Sequence, residues 1–179
     1  HSWQRTHKQI FILDKQMFTI HFETLGCKLN QIETESIARY FVDSNFQVTM
    51  EHSTASQTET KPVLSVINTC TVTAKAEQKA RRIIRMLLAK FPESIILVTG
   101  CYAQVESAQI EQIDKRIVVV PGTAKDILAD FPPFLLKMLQ ESLAEPKTKE
   151  QAETFANLLK TWQPLKNLTS VQAAGKPEP

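Results

Sequence analysis

The sequence predicts an α/β fold: a mainly parallel, doubly wound sheet of about five strands, followed by a C-terminal helical extension. Two observations carry this. Short β-branched or aliphatic runs alternate with longer stretches of helical periodicity, the pattern of strand–helix–strand units. The run Ile95–Val98 is apolar without interruption, as in a strand covered on both faces; a half-exposed strand would alternate.

Phe18–Glu23, rich in β-branched and aromatic residues, is the first strand. Gly26 and Cys27 come next, at a turn. Asn30 is a good N-cap, and Glu33 three residues on would close a capping box. A helix is therefore expected from about Gln31 to Ser44, with Ile37, Tyr40 and Phe41 on one face. Phe46–Met50 is a short second strand. Glu51–Lys61 has no apolar residue larger than alanine and is expected as a surface loop.

Val63–Ile67 is the third strand and runs into Asn68, Thr69 and Cys70. Ala74–Lys90 carries Ala80, Ile83, Ile84, Leu87 and Leu88 at helical spacing, and Pro92 stops it. Ile95–Thr99 is the fourth strand, running into Gly100 and Cys101. A helix is expected over Gln104–Ile113, a fifth strand over Ile117–Val120 and a short helix over Ala124–Phe131. The strand order expected for such a flavodoxin- or Rossmann-like sheet is 2-1-3-4-5.

After Phe131 the character changes. Pro132 and Pro133 are expected to break the chain. Phe134, Leu135, Met138, Leu139 and Leu143 mark one amphipathic helix, and Phe155, Leu158, Leu159 and Trp162 mark another within Gln151–Trp162. Pro164–Pro179 is expected to be flexible. The division expected is an extension over residues 1–16 ahead of a natural start at Met17, a domain over 17–131, and a helical extension and linker over 132–179.

Composition excludes several classes. A net charge of +2 does not by itself argue for nucleic acid. No apolar run approaches the ~20 residues that span a bilayer, so no membrane is expected. Three cysteines, an odd number with no close pair, do not make a secreted disulfide scaffold. A cytoplasmic thiol protein is expected. Gly26 belongs to no G-x-G-x-x-G, which leaves dinucleotide binding without support. Cys27 precedes no glycine-rich phosphate loop with an arginine, which argues against a cysteine phosphatase. Nothing positions His21 or His52 for a cysteine–histidine pair.

Cys27, Cys70 and Cys101 each end an apolar run and precede helix-forming sequence. In a 2-1-3-4-5 sheet, strands one, three and four are neighbours, and ligands collect at their carboxyl ends. Parallel strands ~4.8 Å apart bring three such loops within several ångströms of each other. Helix N-termini at that edge favour thiolates. A disulfide uses two thiols, and a structural zinc site usually has four ligands in close pairs. A [4Fe–4S] cluster is held by thiolates, and three of them leave one iron open. The plain alternative is that cysteines are buried as small hydrophobes in a binding or interaction module, or serve another metal.

The motifs around these cysteines resemble a known family. Thr24-Leu-Gly-Cys-Lys-Leu-Asn-Gln-Ile-Glu-Thr-Glu35, Val66-Ile-Asn-Thr-Cys-Thr-Val-Thr73 and Val98-Thr-Gly-Cys-Tyr-Ala-Gln104 are similar to the amino-terminal domain of the radical-SAM methylthiotransferases. The likeness covers about Phe18 to Phe131. The first motif is most like the tRNA branch acting on N6-threonylcarbamoyladenosine at position 37. The resemblance implies that Cys27, Cys70 and Cys101 bind an auxiliary [4Fe–4S] cluster that carries sulfur toward C2 of the adenosine. It also implies a second [4Fe–4S] cluster and S-adenosyl-L-methionine, held by a C-x-x-x-C-x-x-C motif in a radical domain of the same chain, with tRNA bound by the full-length enzyme. No cysteine follows Cys101, so this chain is expected to be a part of such a transferase and inactive alone.

One further feature stands out. Ala74–Lys90 carries Lys75, Lys79, Arg81, Arg82, Arg85 and Lys90 against the single acid Glu77. The plain reading is a solvated helix face; phosphate contact is the alternative. No aromatic residues are interleaved to stack bases.

Overall fold

The computed structural model describes residues 17–50, 61–70, 73–142 and 145–174. The extension at residues 1–16 and the expected loop, apart from Lys61, lie outside the described residues. Five strands, β1 (Thr19–Thr24), β2 (Gln47–Met50), β3 (Leu64–Thr69), β4 (Ile95–Gly100) and β5 (Ile117–Val119), form one sheet in the order β2-β1-β3-β4-β5. Every neighbouring pair is parallel. The expected fold class and strand order are both borne out.

Alternation along the strands divides the core in two. Ile20 and Phe22, Leu64 and Val66, and Ile95 and Leu97 face one side. Ile67, Ile96 and Val98, and Ile117 and Val119 face the other. The first side is covered by α1 (Lys28–Asp43), whose buried Thr34, Ile37, Ala38 and Phe41 recur at i, i+3, i+4 and i+7. The second is covered by α2 (Ala74–Lys90), through Ala80, Ile84, Leu87 and Leu88. Thr73 caps α2 by accepting from the Ala76 backbone N–H at 3.1 Å.

Four expectations are corrected. The N-cap of α1 is Cys27, and Asn30 lies inside the first turn. Gly26, at φ 122°, turns the chain into the helix earlier than the capping-box pattern suggests. Glu33 consequently has no capping role and bonds elsewhere. The helix expected over Gln104–Ile113 is two pieces, α3 (Cys101–Val105) and α4 (Ser107–Glu111), interrupted at the non-helical Glu106. Tyr102 and Ala103 from one piece and Ile110 from the other are all fully buried.

The segment after β5 is a 3-10 helix (Gly122–Ala129), and Pro132 and Pro133 do not break the chain beyond it. They stand in the first turn of α5 (Phe131–Lys137), where no backbone N–H is needed. A π-helical turn over Met138–Ser142 extends α5, and α6 (Lys149–Leu159) comes after it. The stretch expected to be flexible from Pro164 is α7 (Gln163–Ala174) as far as Ala174, with Pro164 again in a first turn. Residues 175–179 lie outside the described residues. Leu135, Leu139, Phe155, Ala156, Leu159 and Leu165 join the α1-side core. Trp162 packs edge-on against Phe131 at 5.4 Å and stacks on Phe134 at 5.5 Å. The helices beyond Phe131 thus complete the second layer on that face of the sheet.

Candidate thiol site at the carboxyl edge of the sheet

The three cysteines stand at one edge. Cys27 opens α1 after β1, Cys70 directly follows β3, and Cys101 is the first residue of α3 after β4. Strands β1, β3 and β4 are consecutive in the sheet. Thr24 pairs with Asn68, and Thr69 pairs with Gly100. Cys70 and Cys101 are thus each one residue beyond the same paired position.

Two glycines let the chain close at this edge. Gly26, at φ 122°, passes Cys70 so tightly that a Cβ there would lie 2.8 Å from the Cys70 Cβ. Gly100, at φ 101°, lies against Thr69, and a Cβ there would lie 2.1 Å from the Thr69 carbonyl oxygen. Both use a backbone region that side chains disfavour. The Leu25 N–H donates to the Asn68 carbonyl at 2.8 Å and extends the pairing into the turn.

All three thiols are free; Cys27 and Cys101 are exposed and Cys70 is half-buried. The Cys27 Sγ donates to Asn30 Oδ1 at 3.2 Å. The backbone N–H of Asn30, then that of Leu29, draws the Cys27 thiol below its ordinary pKa. The helix N-terminus at Cys27 therefore favours the thiolate, the form that binds metal.

Beneath the Cys27 turn lies a polar network that sequence reasoning missed. Asn68, fully buried, donates from Nδ2 to the Asn30 carbonyl at 3.1 Å, to Thr34 Oγ1 at 3.2 Å and to Glu33 Oε2 at 3.4 Å. Lys125 Nζ, from the 3-10 helix, donates to the same Glu33 oxygen at 2.5 Å. That hydrogen bond, more than any other influence, holds the Glu33 carboxyl below the usual range. Asn68 Oδ1 is buried without a partner among the described residues. It faces Gly100, where a Cβ would stand 2.9 Å from it. The available signal was an asparagine near the end of an otherwise apolar strand, two residues before Cys70. On the other face, Arg81 Nη1 donates to Tyr102 Oη at 3.0 Å and ties α2 to the helix that begins at Cys101.

Thiols are the kind of donor an iron–sulfur cluster takes, and the three stand on neighbouring strand ends. Their side chains are not gathered: among the described residues, no three His, Cys, Asp or Glu side chains form a group that could hold a metal ion. His21 is no thiol partner, since its ring nitrogens meet Thr49 Oγ1 at 3.0 Å and Glu23 Oε1 at 2.9 Å. His52 lies outside the described residues.

Residues 19–122 match the uncharacterized protein family UPF0004. The chain belongs to this family. The UPF0004 match includes all five strands and all three cysteines. A threonylcarbamoyladenosine tRNA methylthiotransferase MtaB of Treponema pallidum is 51% identical over 124 residues, which are 69% of this chain and 25% of that relative. The protein of the same name in Bacillus subtilis is 40% identical over 104 residues, 58% of this chain and 22% of that relative. A tRNA-2-methylthio-N(6)-dimethylallyladenosine synthase of Nitratidesulfovibrio vulgaris is 32% identical over 126 residues, 69% of this chain and 26% of that relative. The chain spans about a quarter of the length of these curated relatives. They bear out the resemblance read from the three cysteine motifs. No helix among the described residues is long and apolar enough to cross a membrane.

Proposed function

We propose that this chain is the cluster-holding part of a tRNA methylthiotransferase that acts at C2 of N6-threonylcarbamoyladenosine. One observation carries the reading: Cys27, Cys70 and Cys101 stand at the carboxyl ends of three consecutive parallel strands. They would hold a [4Fe–4S] cluster. When bound, such a cluster supplies an iron with an open position for exchangeable sulfur.

The chain's own residues prepare that site. The amides of Asn30 and Leu29 favour the Cys27 thiolate. Gly26 and Gly100 let the Cys27 and Cys101 turns approach β3. Asn68, Glu33 and Lys125 lock the start of α1 to the 3-10 helix across the edge. Residues 17–131 would form the cluster-holding domain, and 132–179 a helical extension and linker toward a radical domain. S-adenosyl-L-methionine and a second cluster would be held there, outside this chain's three motifs, so the chain alone is inactive. The site of action is the cytoplasm, where tRNA and reduced thiols coexist.

The ungathered side chains favour a second reading, a flavodoxin-like interaction module with independent structural thiols. Nucleoside mass spectrometry of tRNA separates the two. In cells whose gene carries Cys27→Ala, Cys70→Ala or Cys101→Ala, 2-methylthio-N6-threonylcarbamoyladenosine should vanish and its unmethylthiolated precursor accumulate. Unchanged nucleoside levels in all three variants would overturn the first reading and leave the second.

A further inference from the structure

We infer that the outer groove of α2, lined by Lys75, Lys79 and Arg82, is a docking surface for the phosphate backbone of RNA. The inference rests on the proposed tRNA substrate and assigns the surface that receives it. Thr73, Lys75, Gln78, Lys79 and Arg82 line a groove of about 530 Å³ along the first half of α2. All five are exposed. Lys75, Lys79 and Arg82 succeed each other at i, i+4 and i+7, which sets them on one stripe ~10 Å long.

The groove lacks a compensating acid. The one carboxylate on the helix, Glu77, lies 3.9 Å from Arg81, and Arg81 is committed to Tyr102. Among the described residues, no carboxylate pairs with Lys75, Lys79 or Arg82. A solvated helix in a stable domain usually mixes both signs of charge. Three adjacent cations without an acid instead match a row of phosphates.

Position supports the same partner. Cys70 lies three residues before Thr73, the N-cap of α2, so the stripe starts beside the thiol edge. The Arg81–Tyr102 hydrogen bond fixes the helix to the element that starts at Cys101. A strand of RNA lying in the groove would therefore run toward the three cysteines. Gln78 supplies an amide for sugar or phosphate oxygens. With no aromatic side chain lining the groove, contact is to the backbone and carries no base preference.

Titration of a fluorescein-labelled, unmodified tRNA transcript with the 179-residue chain, without iron, tests this. Lys75→Glu/Lys79→Glu/Arg82→Glu should weaken binding by about tenfold or more. The slope of log affinity against log salt should fall by about 2–3, as expected for three lost phosphate contacts. Lys137→Glu, on α5 beyond the opposite face of the sheet, should change affinity less than Lys79→Glu does. Equal affinity and slope for the triple variant would overturn the inference, as would the absence of tRNA binding by the parent chain. Displacement of the tRNA by poly-glutamate at equal charge would overturn the assignment to RNA. Because the titration needs no cluster, failure to load iron would count against the proposed function and leave this result standing.

Discussion

Gly26 and Cys70 touch across the carboxyl edge: a Cβ on Gly26 would lie 2.8 Å from the Cys70 Cβ, closer than such atoms approach. The first thiol's turn is therefore packed against the second thiol's residue. Gly26→Ala must push Cys70 aside and hold a side-chain residue at φ 122°. The expected cost is ~1–3 kcal/mol. Gly100→Ala meets the Thr69 backbone, which cannot rotate away, and should cost more than ~3 kcal/mol. Urea denaturation of both variants checks the order. The Gly26 variant should in addition alter the alkylation rate of Cys70.

The Cys27 thiol is expected to react at lower pH than an ordinary cysteine, because the Asn30 and Leu29 amides favour its thiolate. In a Cys70→Ser/Cys101→Ser background, the iodoacetamide rate plotted against pH should have its midpoint below that of the same chain unfolded in urea. Coincident midpoints would remove the helix N-terminus from the account of the site.

Arg116 is a costly charge in the interior. It is 3% exposed, grips Asp114 through Nε at 3.0 Å and Nη2 at 3.1 Å, and donates from Nη1 to the Leu88, Phe91 and Pro92 carbonyls. Arg116→Met leaves Asp114 and those carbonyls without their guanidinium donor, an expected loss of ~3 kcal/mol. The melting temperature should fall by about 6–12 °C. Burial alone would raise the Asp114 pKa, but the Arg116 hydrogen bonds together with the Arg116 and Lys149 charges hold the carboxyl low. A carboxylate with a depressed folded pKa contributes stability above its unfolded pKa and loses it as pH falls through the folded value. The gap between wild type and Arg116→Met should therefore narrow in acid. Thermal melts across pH test both the size and the sign.

The strands were legible because each is a short apolar run, and Ile95–Val98 announces its burial on both faces. The helix α2 was legible from its periodicity, down to both ends. The start of α1 was not: Asn30 and Glu33 make a plausible capping box, but Gly26's positive φ begins the helix at Cys27. Pro132 and Pro133 read as a break and the stretch from Pro164 as flexible, although proline in a first turn costs a helix nothing. The pairing of Glu33 with Lys125 joins residues far apart in sequence, and only the folded sheet edge brings them together. The same holds for Arg116, whose partners are set by the close of α2 and the start of β5. The three thiols were placed correctly at strand ends because strand order fixes backbone position. Their side chains are not gathered among the described residues, and bringing three sulfur atoms together depends on rotamers and on what is bound, which no pattern of residues encodes.

Anaerobic loading with iron and sulfide, followed by iron and sulfide analysis per chain, tests the central claim most directly. The wild-type chain should bind about four irons and four sulfides, as a [4Fe–4S] cluster requires. Cys27→Ala, Cys70→Ala and Cys101→Ala should each lose most of both, because each removes one of three ligands. Stoichiometric zinc with no sulfide, or a variant that keeps the full cluster, would contradict the claim that these three cysteines form one site.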